Sequence, residues 1–147
     1  NLIPNTTWIK KKSNQIKIDH NNYTIKKVNA EIITLDDYVN EKNLINIDIL
    51  KIDTQGFEDK VLLGAKNLLK NNRIKCIQLE LIFSEVYENP LNIYDVEKTL
   101  IPNNYKLFGI SNGGSLISQS MFQSDFIYIS NDTYENFKLI SPYFNTS

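Results

Sequence analysis

The run Ile49-Leu-Lys-Ile-Asp-Thr-Gln-Gly-Phe-Glu-Asp-Lys-Val-Leu-Leu-Gly-Ala65 constrains the fold more than any other part of the chain. Ile47 to Asp53 is dense in β-branched and apolar residues, as in a central strand covered on both faces, and it stops at an acid. Gly56 marks a turn, supplying a backbone conformation that other residues resist. Phe57, Val61, Ala65, Leu68 and Leu69 then recur at helical spacing, so one helix is predicted from Phe57 to Lys70. Asp53 is thereby placed at the carboxyl end of a strand, where open α/β sheets bind ligands. Ile77-Gln-Leu-Glu80 repeats the pattern: Arg73 or Ile74 to Leu81 reads as a strand with an acid near its end.

The remaining elements follow from local signals. Residues 1–33 read as an irregular or edge-strand lead-in, with short alternating stretches around Trp8 and Ile16 and with Ile25, Val28, Ile32 and Ile33 as core candidates. Thr34-Leu-Asp-Asp37 fits a capping box and opens a short helix to about Lys42. Ile82 to Pro90 is irregular, Asn92 to Ile101 is a helix ended by Pro102, and Tyr105 to Ile110 is a strand. Asn112-Gly113-Gly114 is a turn, and Asp125 to Ser130 is a last strand. From Asn131 the chain reads as a short helix or loop packing Tyr134, Phe137 and Tyr143. Strands alternating with helices indicate an α/β fold with a mostly parallel sheet, and the final pair adds an antiparallel element.

Composition narrows the function classes. With 147 residues and 41% hydrophobic content the chain is one domain, or part of one, with a real core. Its formal net charge is −1, and its 15 lysines, with Arg73 the only arginine, are scattered. No basic stripe points to nucleic acid, and no long apolar run or juxtamembrane basic block points to a membrane; a cytoplasmic protein is expected. Cys76 has no disulfide partner and reads as a small buried residue. His20, the only histidine, reads as surface. The chain begins with Asn1 rather than Met, and we expect a fragment or processed product.

Taken in order, Thr34-Leu-Asp-Asp-Tyr, Ile47-Asp-Ile-Leu-Lys-Ile-Asp-Thr-Gln-Gly-Phe-Glu58, Val61-Leu-Leu-Gly-Ala65 and Ile77-Gln-Leu-Glu80 resemble the FkbM-type methyltransferase family. Tyr105-Lys-Leu-Phe and Asp125-Phe-Ile-Tyr-Ile agree, so the resemblance covers roughly residues 32 to 130. It implies a Rossmann-like fold and S-adenosylmethionine-dependent methylation of a hydroxyl, often on a sugar. The family's Gly-rich loop, typically Asp-x-Gly-Ala-Asn-x-Gly, is absent from the chain, as is the acid after the strand that follows it. Residues 34–130 are therefore expected to be the C-terminal portion of the family domain, with 131–147 as a tail and most of the cofactor site lacking.

Methyl transfer to a hydroxyl needs the acceptor positioned and its proton removed. If the strands ending in Asp53 and Glu80 are neighbours, about 4.8 Å apart, the two carboxylates can share a divalent ion such as Mg²⁺, or one can act as general base beside the other. They are the leading candidates, against a turn-forming role for Asp53 and a salt bridge for Glu80. Gln55 and Glu58 rank second; Gln55 can bond a substrate hydroxyl or line the turn, and Glu58 sits where a helix start favours an acid anyway. Lys51 can extend along the sheet or pair with a rim acid. Asp36 and Asp37 read as helix-start residues. Phe83, Tyr87 and Tyr94 read as core, with a sugar-stacking wall as the rival. The expected partner is a small-molecule or glycan acceptor. The rival to an enzyme is a degenerate relative binding a glycan or protein, and the outer edge of Ile47–Asp53, without an earlier strand, is expected to promote self-association unless residues 1–33 cover it.

Overall fold

The computed structural model describes residues 29–83, 91–111 and 123–141. The stretches near Trp8 and Ile16, Ile25, Val28, His20, Tyr87, the Asn112-Gly113-Gly114 turn and Tyr143 lie outside them. The elements are α1 (Leu35–Glu41), β1 (Ile47–Ile52), α2 (Glu58–Leu63), α3 (Lys66–Lys70), β2 (Ile74–Ile82), α4 (Ile93–Leu100), a 3₁₀ turn (Ile101–Asn103), β3 (Tyr105–Ile110), β4 (Gln123–Ser130) and α5 (Asn131–Ile140).

Four strands form one sheet in the order β1-β2-β4-β3 among the described residues. β1 and β2 are parallel, with Lys51 opposite Gln78 and Ile52 opposite Leu79. A parallel pair cannot be closed by a tight turn, and here α2 and α3 make the crossover. β4 then inserts antiparallel between β2 and β3, with Glu80 opposite Asp125 and Ile82 opposite Gln123. The expectation of a mostly parallel sheet is thus corrected: one pairing is parallel and two are antiparallel. The reason is β4, which alone runs against the other three and so reverses both contacts it makes.

Alternation along β2 decides the two faces. Ile77, Leu79 and Leu81 are buried with Ile52, Phe126 and Tyr128 against Leu62, Leu68, Val96 and Leu100 of the helices. Cys76, Gln78 and Glu80 point to the other face, part of which α5 covers: Lys106 meets Glu135 at 3.8 Å and the Phe108 and Phe137 rings lie edge to face, 4.9 Å apart. β1 departs from the central strand expected of it. Among the described residues it pairs on one side only, and Ile49 is 69% exposed. Ile32 and Ile33, expected in the core, are 95% and 50% exposed.

The single helix predicted from Phe57 to Lys70 is two helices, α2 and α3, and the break has a cause. Asp36 N–H donates to the Gly64 carbonyl at 2.9 Å, while its carboxylate accepts from the N–H groups of Asn67 (2.9 Å) and Leu68 (3.0 Å). Those bonds replace intrahelical ones and cap α3 from another element. A Cβ at Gly64 would meet Thr34 Cβ at 3.5 Å and the Val61 carbonyl at 3.4 Å, ordinary contact distances, so space alone does not demand glycine there. Asp36 and Asp37 are the helix-start residues expected. The Asp37 N–H donates to Thr34 Oγ1 at 3.1 Å, and the Asp37 carboxylate closes back on that hydroxyl rather than on the Thr34 backbone.

Candidate active site

The turn after β1 is organised by Glu58. This residue is 1% exposed, and its carboxylate accepts from Thr54 N–H (3.0 Å), Thr54 Oγ1 (3.0 Å) and Gly56 N–H (3.0 Å). Glu58 therefore faces into the turn, where two backbone N–H groups and the Thr54 hydroxyl hold its carboxylate, the structural alternative weighed for an acid at a helix start. The tight path that results requires φ of 57° at Gln55 and 104° at Gly56. The first is tolerated by a non-glycine residue at some cost, and the second is glycine territory, as expected.

That backbone aims Gln55 across the rim. Its amide nitrogen donates to Asp53 Oδ1 at 2.8 Å and to Glu80 Oε2 at 3.3 Å. Asp53 and Glu80, on neighbouring parallel strands, are thus brought together at one end of the sheet, no farther apart than the sum of those two bonds. Glu80 has a second support in Gln123 of β4, whose amide nitrogen donates to Oε1 at 2.8 Å. Directly opposite Glu80 on β4 is Asp125, which Lys51 Nζ meets at 3.4 Å. Lys51, placed mid-strand by sequence, therefore pairs with an acid of β4.

Gln123 and Asp125 were invisible as site residues because nothing in the sequence says which strand lies beside β2. Once β4 is antiparallel to it, the period of two puts Asp125 and Gln123 on the face of Glu80. Other expectations fare differently. Phe83 and Tyr94 are 39% and 69% exposed rather than buried in the core, although the Phe83 ring meets Phe126 edge to face at 5.9 Å. Cys76 is half-buried, and burial raises its thiol above the ordinary value.

The donor set can be tested against the groups the sequence suggested. Asp53 Oδ1 and Glu80 Oε2 are hard oxygen ligands suited to Mg²⁺, but the Gln55 amide nitrogen bridges them. No cluster of three or more His, Cys, Asp or Glu residues suited to a metal occurs among the described residues. The only described strand-to-helix turn containing glycine is 54–56, and its Thr54 and Gly56 N–H groups are spent on Glu58. The rim therefore offers hydrogen-bond acceptors to a ligand, and the described residues do not form the backbone cradle a nucleoside cofactor needs.

No helix among the described residues is long and apolar enough to cross a membrane. A search of curated proteins finds no match. The methyltransferase FkbM domain family matches residues 4–107, most of the chain, and the match takes in the lead-in, β1, β2 and both rim acids while ending within β3. By that match, the chain belongs to the FkbM methyltransferase family.

Proposed function

We propose that this chain supplies the acceptor side of an S-adenosylmethionine-dependent O-methyltransferase with a Rossmann-like sheet, acting on a hydroxyl of a carbohydrate. The observation that carries the reading is the Gln55 amide shared by Asp53 and Glu80 at the ends of parallel neighbours. Both acids lie inside the family match. The βαβ unit made by β1, α2, α3 and β2 has the connection on which doubly wound sheets are built, which supports the Rossmann-like reading.

S-adenosylmethionine supplies an electrophilic methyl group. The rim residues supply what the acceptor oxygen needs. An acceptor hydroxyl donates to a Glu80 oxygen beside the Gln55 bond and passes its proton to that carboxylate as its oxygen becomes the nucleophile. Glu80, half-buried, is the better shielded of the two acids and takes this role. Asp53, exposed and bonded to Gln55, orients the acceptor through a neighbouring donor. In the alternative, Asp53 and Glu80 would hold Mg²⁺, which would supply Lewis-acid activation of the acceptor hydroxyl.

The test is transfer of labelled methyl from S-adenosylmethionine to a panel of mono- and oligosaccharides by the complete protein, with Mg²⁺ or with EDTA. Asp53→Asn and Glu80→Gln are each expected to lower the rate about a hundredfold or more while leaving thermal stability near wild type. Transfer undiminished in both variants would refute the assignment, and loss in EDTA restored by Mg²⁺ would replace the metal-free route with the metal-bridged one.

A further inference from the structure

Glu80 is gripped on both oxygens by side-chain amides that come from different strands' ends. Gln55 follows β1 and holds Oε2; Gln123 opens β4 and holds Oε1. Gln123 pairs with Ile82, two residues beyond Glu80 on the same face, so it reaches Glu80 along the diagonal that long side chains span in an antiparallel pair. The amide orientations follow from the partners, since a flipped Gln123 would set its oxygen against a carboxylate oxygen. Gln123 also lies beyond the family match, which ends at residue 107.

We infer that Gln123 is a positioning residue: with Gln55 it fixes both Glu80 oxygens as hydrogen-bond acceptors, so that the site is completed only by a group that donates, a hydroxyl or an amine. An ionised carboxylate accepts at about four positions, and the two amides leave room for more. Gln55 has both amide hydrogens committed, one to each acid. Asp125, directly opposite, bears the same charge as Glu80, and Lys51 at 3.4 Å meets that charge from β1. The donors around Glu80 therefore fix where its oxygens point without quenching them. The functional half of this inference rests on the acceptor-side reading; the geometric half does not.

The experiment uses the complete protein labelled with ¹³C at the glutamate carboxyl carbon, with the Glu80 resonance identified by its loss in Glu80→Gln. Gln123→Met keeps the chain length and removes the donor, whereas Gln123→Lys retains one. The Glu80 resonance is expected to move in Gln123→Met and to return toward wild type in Gln123→Lys. Methyl transfer to the saccharide panel is expected to fall about tenfold in kcat in Gln123→Met, as befits one bond to a charged group. The KM for S-adenosylmethionine stays unchanged, and Gln123→Lys recovers the rate. Should Gln123→Met fail to fold, Gln123→Glu replaces donor by acceptor at equal size, and a larger kcat loss is expected. A Glu80 resonance indifferent to Gln123 overturns the inference even if Glu80→Gln abolishes transfer. Transfer that survives Glu80→Gln overturns the acceptor-side reading, and with it the positioning role, whatever the resonance does.

Discussion

Glu58 and Glu80 lie on either side of one turn, and they use the same chemistry to opposite ends. Glu58 is sealed in the interior with its oxygens occupied by the N–H groups of Thr54 and Gly56 and the Thr54 hydroxyl. Glu80 stands at the rim with two amide donors and a like charge directly across the sheet. A carboxylate that backbone donors saturate can hold a chain path but has nothing left for a ligand. One that side-chain donors merely orient contributes little to holding the fold and remains able to bind. Interior polar groups here should thus be expensive to remove and rim groups cheap, although only the rim groups bear on chemistry.

The strongest way to break that contrast is Glu58→Ala. It strands two backbone N–H groups in a turn that already carries a left-handed residue at Gln55. Unsatisfied donors of this kind cost about 1–3 kcal/mol each, so a loss of about 3 kcal/mol is expected in urea unfolding. Glu58→Gln keeps one acceptor but turns its amide hydrogens toward N–H donors, and about 2 kcal/mol is expected. A stability change below about 1 kcal/mol for Glu58→Ala would mean that the turn is held by something else.

A milder comparison lies at the other end of β2. The buried Tyr105 hydroxyl donates to the Ile74 carbonyl at 2.7 Å. Tyr105→Phe leaves that carbonyl without this donor, and a loss of about 1 kcal/mol is expected. Burial pushes the Tyr105 hydroxyl from 10.0 up to about 12. Burial, and after it the Glu97 carboxylate 3.1 Å away, also raises Tyr128. For a group whose folded value is raised, the stabilisation is whole below the unfolded value and is lost as pH climbs through the folded one. Stability should therefore hold to about pH 10 and decline between about 10 and 12, and Tyr105→Phe should shrink that decline. Circular dichroism against pH at fixed urea concentration reads both.

The fold was legible where hydrophobic period and composition speak alone. β1, β2 and β3 fall within a residue or two of the expected spans, and so does α1, because apolar alternation, caps and turn residues are local signals. What failed depended on contacts between elements. The break between α2 and α3 is caused by Asp36, some thirty residues away in sequence, and periodicity across Gly64 cannot reveal it. The position of β4 between β2 and β3 is a topological fact, and without it Gln123 and Asp125 had no address. The site was half legible for the same reason. Asp53 and Glu80 stand out as acids at strand ends, and Gln55 as a polar residue in the turn. Glu58 ranks second in sequence, since a helix start favours an acid anyway, but sequence does not show which way its carboxylate faces.

The smallest expected effect is the most discriminating, because its sign is set by two opposing terms at the rim. Like charges directly opposite each other in an antiparallel pair are unfavourable by about 0.2–1 kcal/mol, and Glu80 faces Asp125 in that way. Lys51 offsets part of this, but the ion pair is long at 3.4 Å and the lysine is half exposed, so its share is small. Glu80→Gln removes the repulsion and retains one acceptor oxygen, while the donors it loses can turn to water at the half-buried rim. We expect a gain of up to about 0.5 kcal/mol, read as a small rise in the urea midpoint with an unchanged slope. Asp125→Asn should gain less, because it also leaves Lys51 without its partner. If Glu80→Gln instead cost more than about 1 kcal/mol, the rim carboxylate would belong with Glu58 among the groups that hold the fold, and the division between the two sides of the turn would collapse.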